Sequence, residues 1–250
     1  MDVKKFVVDY KKYLKQNADP KRAVNEKAYL YSDLKHYGLS VWTRRKFSNE
    51  HEKELKTLSK KDVIDLALEL WGSPYHEERA MGLTIIGFHK EKLDISDMPL
   101  IEKIMRESKG WAFLDSSIIP FMHEILQKDK GGYDFLKRWI KDDDFWVRRS
   151  ALLAQLLFFR SNKGGNKKLF FNFARSQFDE KWIDEKYKDK LSNKRAKFFI
   201  RKAIGWALRE MSQKDPKAVF DFLEENKGRM SGLSFREGSR KLPETFRNNL

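Results

Sequence analysis

The sequence predicts an all-α fold of antiparallel helix pairs in one domain over residues 1–250, and three observations carry that prediction. Apolar residues recur at helical spacing, as in Val63, Leu66, Ala67, Leu70 and Trp71, or Val219, Phe222 and Leu223. Helix starts are marked repeatedly by N-cap residues, several of them followed by proline. No run alternates apolar and polar residues as a half-buried strand would, and there is no Asn-Gly or Asp-Gly hairpin turn.

Along the chain, Asp19-Pro20, Ser73-Pro74 and Asp215-Pro216 each read as an N-cap followed by proline at the first helical position. Ser59 with Asp62, and Ser234 with Glu237, read as capping boxes. In Asp142-Asp143-Asp144, Asp144 reads as an N-cap whose charge suits a helix N-terminus. Lys163-Gly164-Gly165-Asn166 reads as a loop. These signals predict ten to thirteen helices of ordinary length.

A weak repeat runs through Glu78-Arg79, Val147-Arg148, Ile200-Arg201 and Phe235-Arg236, each placed early in a helix by this reading. Val147-Arg148-Arg149-Ser150-Ala151 resembles the core of a HEAT repeat. The arginine offsets are 69, 53 and 35 residues. The first suits two helical hairpins and the last suits one, so the middle offset implies an insertion between 149 and 200. Stacked pairs of this kind form a solenoid with a concave face.

Charge decides what such a face would hold. The 250 residues carry a formal net charge of +15, which favours a polyanionic partner, nucleic acid first. Candidate phosphate contacts lie in Arg44-Arg45-Lys46, Arg148-Arg149, Lys194-Arg195 and Arg201-Lys202. Cysteine is absent, which excludes disulfides and thiolate nucleophiles and fits a reducing compartment, the cytoplasm. The first residues lack an apolar signal core, and the longest apolar stretch, 151–159, is too short to span a bilayer. The five histidines are scattered, and His76-Glu77-Glu78-Arg79-Ala80 lacks the second histidine of a zinc-protease motif, so neither metal nor cofactor is expected. No long heptad seam is present, and a monomer is the default.

Three stretches stand out. Trp111 and Asp115, four apart, share one helix face; alternatively, Trp111 packs in the core and Asp115 caps a helix running into Pro120. Phe145 to Leu152 offers Arg148 and Arg149, either to DNA or to neighbouring carbonyls. Lys202-Ala203-Ile204-Gly205-Trp206-Ala207-Leu208-Arg209-Glu210 places a glycine inside a helix at a cost of about 1 kcal/mol against alanine, which implies close approach of a neighbouring helix or a ligand.

In this order the three stretches resemble the DNA alkylation repair family of AlkD type. The likeness rests on Trp111 with Asp115, Trp146 with Arg149, and Lys202 to Glu210, and extends over roughly residues 5–240. It implies a HEAT-like solenoid that hydrolyses the N-glycosidic bond of N3- or N7-alkylated purines, such as 3-methyladenine and 7-methylguanine, in double-stranded DNA. In that reading Asp115 stabilises positive charge growing on the deoxyribose, Trp111 and Trp206 form an aromatic cleft, and Arg149 holds a phosphate. No lysine is placed as a Schiff-base nucleophile, so a monofunctional glycosylase of base excision repair is expected. Flipping of the base into a pocket and catalysis on a stacked base both stay open. So do two other functions: an inactive relative that binds branched or distorted DNA, and a HEAT-type scaffold for proteins.

Overall fold

The computed structural model describes residues 2–108 and 110–250. Its first helices follow their caps. α1 (Val3–Gln16) is opened by the Asp2 carboxylate, which accepts the Lys5 amide, and it buries Phe6, Val7, Tyr10 and Leu14. α2 (Pro20–Leu30) is opened by Asp19 with Pro20 at its first position, as expected. It ends on Tyr31, a non-glycine residue at φ 51°. Ser40 caps α3 (Val41–Glu50), and the short α4 (Glu52–Leu55) follows. Ser59 caps α5 (Lys60–Trp71), which packs on α6 (His76–Phe88). Two 3₁₀ turns, Lys90–Lys92 and Ile95–Asp97, lead to α7 (Met98–Ser108).

α8 (Trp111–Lys128) runs through Pro120 without stopping. Asp115 therefore lies inside the helix, one turn from its start, and is not a cap. α9 (Gly132–Trp139) precedes α10 (Phe145–Leu153), which the Asp144 carboxylate opens by accepting the Trp146 amide. The buried Gln155 separates α10 from α11 (Leu156–Ser161), and its side-chain carbonyl accepts the Asn166 amide. Gly164 and Gly165 form the predicted loop, both at positive φ. α12 (Lys167–Ser176) and α13 (Lys181–Lys186) follow, then the long α14 (Lys190–Ser212). α15 (Pro216–Asn226), α16 (Gly232–Ser239) and α17 (Glu244–Arg247) complete the order.

Thirteen of these helices have eight residues or more, which meets the predicted number; the other four have four to six. No strand occurs among the described residues, only an isolated bridge between Lys35 and Tyr75. The protein is all-helical, consistent with helical repeats. No helix among the described residues is long and apolar enough to cross a membrane. The chain gathers into two compact units: Met1–Leu93 with Ser108–Ser117, and Asp94–Glu107 with Ile118–Leu250.

Each unit contains one copy of the arginine device that the repeat suggested. Arg79 is the fourth residue of α6; its Nε donates to the Ser73 carbonyl at 2.7 Å and its guanidinium lies over Trp71. Arg148 is the fourth residue of α10; its Nε donates to the Asp142 carbonyl at 2.5 Å and its guanidinium stacks on Trp182. Both arginines thus tie down the carbonyl six residues back. Arg201 departs from the pattern. It is the twelfth residue of α14, not an early one, because the Asp189 cap starts that helix three turns upstream; its Nε and Nη2 each donate to the Glu180 carboxylate.

The core of the second unit forms where α14 packs on α10, α15 and α16. Gly205 makes the α14–α16 approach possible. A Cβ there would lie 2.5 Å from the Glu237 Cβ and 3.1 Å from the Ser234 carbonyl oxygen, so the close neighbour is a helix. Gly205→Ala is expected to cost about 1–3 kcal/mol through overpacking, with each kcal/mol lowering Tm by roughly 2–4 °C in a chain of this size. Gly228→Ala is the control, since nothing lies within 4 Å of its Cβ, and thermal unfolding of both variants checks the pair.

Candidate nucleic-acid interface

In the first unit, α2, α3, α6 and the start of α8 surround a cleft of roughly 1010 Å³. Trp111 forms part of its wall and meets Tyr29 edge-on, with ring centroids 5.7 Å apart. Asp115, half-buried, lies one turn further along α8, and Ser116 rather than Asp115 continues the cleft wall. Arg44 and Arg45 line the same cleft from α3. Arg45 is exposed, whereas the Nε of Arg44 is buried and makes no hydrogen bond among the described residues.

His76 closes the inner side of the cleft. Its ring stacks on His36 at 4.7 Å and on Phe113 at 4.5 Å. Burial pushes its pKa down to about 3, reinforced by the positive charge of Arg44, so the ring is neutral at physiological pH.

In the second unit the candidates lie on α10 and α14. Arg195, Phe199, Lys202, Trp206 and Arg209 are spaced by 4, 3, 4 and 3 residues, which puts them on one face of α14. All five are half-buried, while Ala196, Ile200, Ala203, Ile204, Ala207 and Leu208 are buried. The result is a stripe in which cations and aromatic rings alternate. Arg149, from α10, is 5% exposed; it donates to the Phe199 carbonyl at 2.9 Å and lies over the Phe199 ring. Arg195 lies over the Trp146 ring at 5.4 Å.

Two carboxylates hold the stripe in place. Glu237 accepts from Lys202 at 2.8 Å and from Arg209. The Lys202 hydrogen bond holds the Glu237 carboxyl below the usual carboxylate range. Glu210 accepts from the Trp206 indole at 3.2 Å and from Arg160 at 2.9 Å. Lys194 is exposed near the start of α14, off the stripe.

Residues 10–242 match the profile of a family described as DNA alkylation repair enzyme. The chain belongs to the DNA alkylation repair enzyme family. Among solved structures, this member is similar to a predicted DNA alkylation repair enzyme from Enterococcus faecalis. The TM-score is 0.75 at 20% identity, covering 91% of this chain and 98% of that one, a likeness of fold. Comparison with curated proteins gives no match.

Within this family member, the candidate residues fall into two groups. Trp111, Asp115, Arg44 and Arg45 belong to the first unit, and Arg148, Arg149, Lys194, Arg195, Lys202 and Trp206 to the second. Trp206 is half-buried with its N–H engaged, not an ordinary core residue. Arg148 is committed inward: besides Asp142 it donates to the Lys141 carbonyl and to the Gln177 side chain. That is the carbonyl-bonding alternative of the sequence reading. Sequence reasoning missed Phe199, named Arg209 only as part of the Lys202–Glu210 stretch, and missed Tyr29. The 4-3-4-3 spacing could have found the first two; nothing local pairs Tyr29 with Trp111.

Proposed function

We propose that this member of the family is a monofunctional glycosylase that hydrolyses the bond between deoxyribose and an N3- or N7-alkylated purine in duplex DNA. The observation that carries the reading is the placement of Trp111 and Asp115 on successive turns of α8, both half-buried, with the indole at the wall of an open cleft.

The chemistry suits that arrangement. Alkylation leaves the purine cationic, so the C1′–N bond can break with its electron pair passing to the base, which becomes neutral. Positive charge then develops on the sugar as an oxocarbenium ion. A carboxylate beside it lowers the barrier electrostatically, and water adds to C1′, losing its proton to that carboxylate or to solvent. A strong general acid is unnecessary because the leaving base is neutral. The electron-rich face of Trp111 attracts the cationic centre by about 0.5–2 kcal/mol. Arg195, Lys202 and Arg209, half-buried on α14, supply cations for phosphate contacts that set register without reading sequence, whereas Arg149 is buried against the Phe199 carbonyl and supports the stripe from behind.

The test is release of 7-methylguanine from a labelled duplex, followed as strand cleavage after heat and alkali. Time-dependent release is expected. Tight binding to junction DNA without release would favour the inactive-relative reading instead.

Binding should be electrostatic and indifferent to sequence. If about four phosphates are neutralised, the affinity for undamaged duplex falls roughly a hundredfold between 50 and 200 mM salt. Fluorescence anisotropy at several salt concentrations measures the slope, and a flat response would count against a DNA-binding role.

A further inference from the structure

The five histidines are scattered in sequence, yet folding gathers one of them with two carboxylates. One ligand-capable atom each from Glu26, His36 and Glu77 lies within 4.8 Å of the others. These residues come from α2, the segment after it, and α6. Their hydrogen bonding is incomplete in a telling way. The His36 side chain is 1% exposed and neither ring nitrogen makes a hydrogen bond; its Nδ1 faces Oε2 of Glu26, which also makes none, at 3.6 Å, a pairing that becomes an ion pair only when the ring is protonated. Buried polar atoms are nearly always satisfied, and an orphaned set points to an absent water or ion.

We infer that Glu26, His36 and Glu77 form a binding site for one divalent transition-metal ion, with zinc the best-fitting class. The distance from Glu26 Oε2 to His36 Nδ1 is 3.6 Å, too long for a hydrogen bond. It is close to the edge of a tetrahedron with metal bonds near 2.1 Å, about 3.4 Å. Imidazole nitrogen with two carboxylate oxygens is a donor set that suits zinc, and two carboxylates with a neutral imidazole balance a divalent charge.

The surroundings hold the donors as a metal site requires. Glu77 accepts the backbone amides of Tyr37, Gly38 and Leu39, which fix its carboxylate. Gly38 permits that turn: it sits at φ +86°, and a Cβ would lie 2.1 Å from the Asp19 carbonyl oxygen. The His36 ring is clamped by its stack on His76. Glu26 also lines the cleft, which gives an ion a way in. Arg44 acts electrostatically on Glu26 and opposes a cation there, so affinity in the micromolar range is expected rather than tighter. The bound ion would tie the segment after α2 to α6.

The test uses the full chain stripped with a chelator and titrated calorimetrically with zinc, without DNA, so its outcome is independent of glycosylase activity. The expected result is one zinc per chain, with affinity at least tenfold weaker in both Glu26→Gln and His36→Phe. The phenylalanine keeps the ring stack while removing the donor nitrogens. Cobalt provides a second readout, since four-coordinate cobalt gives intense visible absorption that Glu26→Gln should abolish. No zinc uptake by the natural chain, or uptake unchanged in the variants, overturns the site. Should one variant fail to fold, the other variant and the cobalt spectrum of the natural chain decide.

Discussion

Asp115→Asn is expected to slow excision of 7-methylguanine by about a hundredfold to a thousandfold, the usual loss when one preorganised electrostatic group is removed. The substitution keeps the size of the side chain and removes its charge. It therefore acts on the transition state, where the sugar is cationic, and much less on the ground state. Affinity for undamaged duplex should stay within about twofold, since a carboxylate repels phosphates and its loss costs no phosphate contact. Single-turnover kinetics at saturating enzyme separate the two quantities, and a melting curve shows that the variant is folded. Trp111→Phe should give a smaller loss, because a phenyl face keeps part of the attraction for the cation. If Asp115→Asn excises at the natural rate, the carboxylate is not part of the chemistry.

What could be read from the sequence was mostly what is local. Asp19, Asp144 and Asp215 were legible as caps because a cap bonds an amide two or three residues away. Ser73-Pro74 failed for a tertiary reason. The Lys35 amide donates to the Pro74 carbonyl and the His76 amide to the Lys35 carbonyl, so the bridge keeps this stretch extended and α6 starts at His76 behind Tyr75. Ser234 failed similarly: its hydroxyl donates to the Arg201 carbonyl on α14, and Ser231 caps α16 one turn earlier. Ser59 caps α5 as predicted, but Asp62 answers with a bond to the Ser59 hydroxyl at 2.6 Å, not with the backbone contact of a full capping box. The same limit governs the site. Trp111 with Asp115 and the α14 stripe lie within single helices and can be found by counting. The meeting of Tyr29 with Trp111, or of His36 with Glu26 and Glu77, depends on chain folding over tens of residues.

Arg148→Ala is expected to destabilise the second unit by about 2–4 kcal/mol while leaving DNA affinity nearly unchanged. The guanidinium serves the carbonyls of Asp142 and Lys141, the Gln177 side chain and the face of Trp182, at 3.5 Å from the ring centroid. Hydrogen bonds from a charged donor contribute about 1.5–3 kcal/mol, and removing this one also leaves the loop carbonyls before α10 without their donor. At roughly 2–4 °C per kcal/mol, Tm should fall by about 4–16 °C. Lys194→Ala makes the contrast: that exposed side chain carries charge but no packing role, so its loss should weaken duplex binding slightly and leave Tm within error. The two arginines after Val147 look alike in the sequence, and both serve internal carbonyls: Arg148 those before α10, Arg149 that of Phe199 on α14. A result in which Arg148→Ala melts normally but loses DNA affinity would mean that this guanidinium exchanges its internal carbonyls for phosphate, and that the arginine device shared with Arg79 is not what holds the α10 entry together.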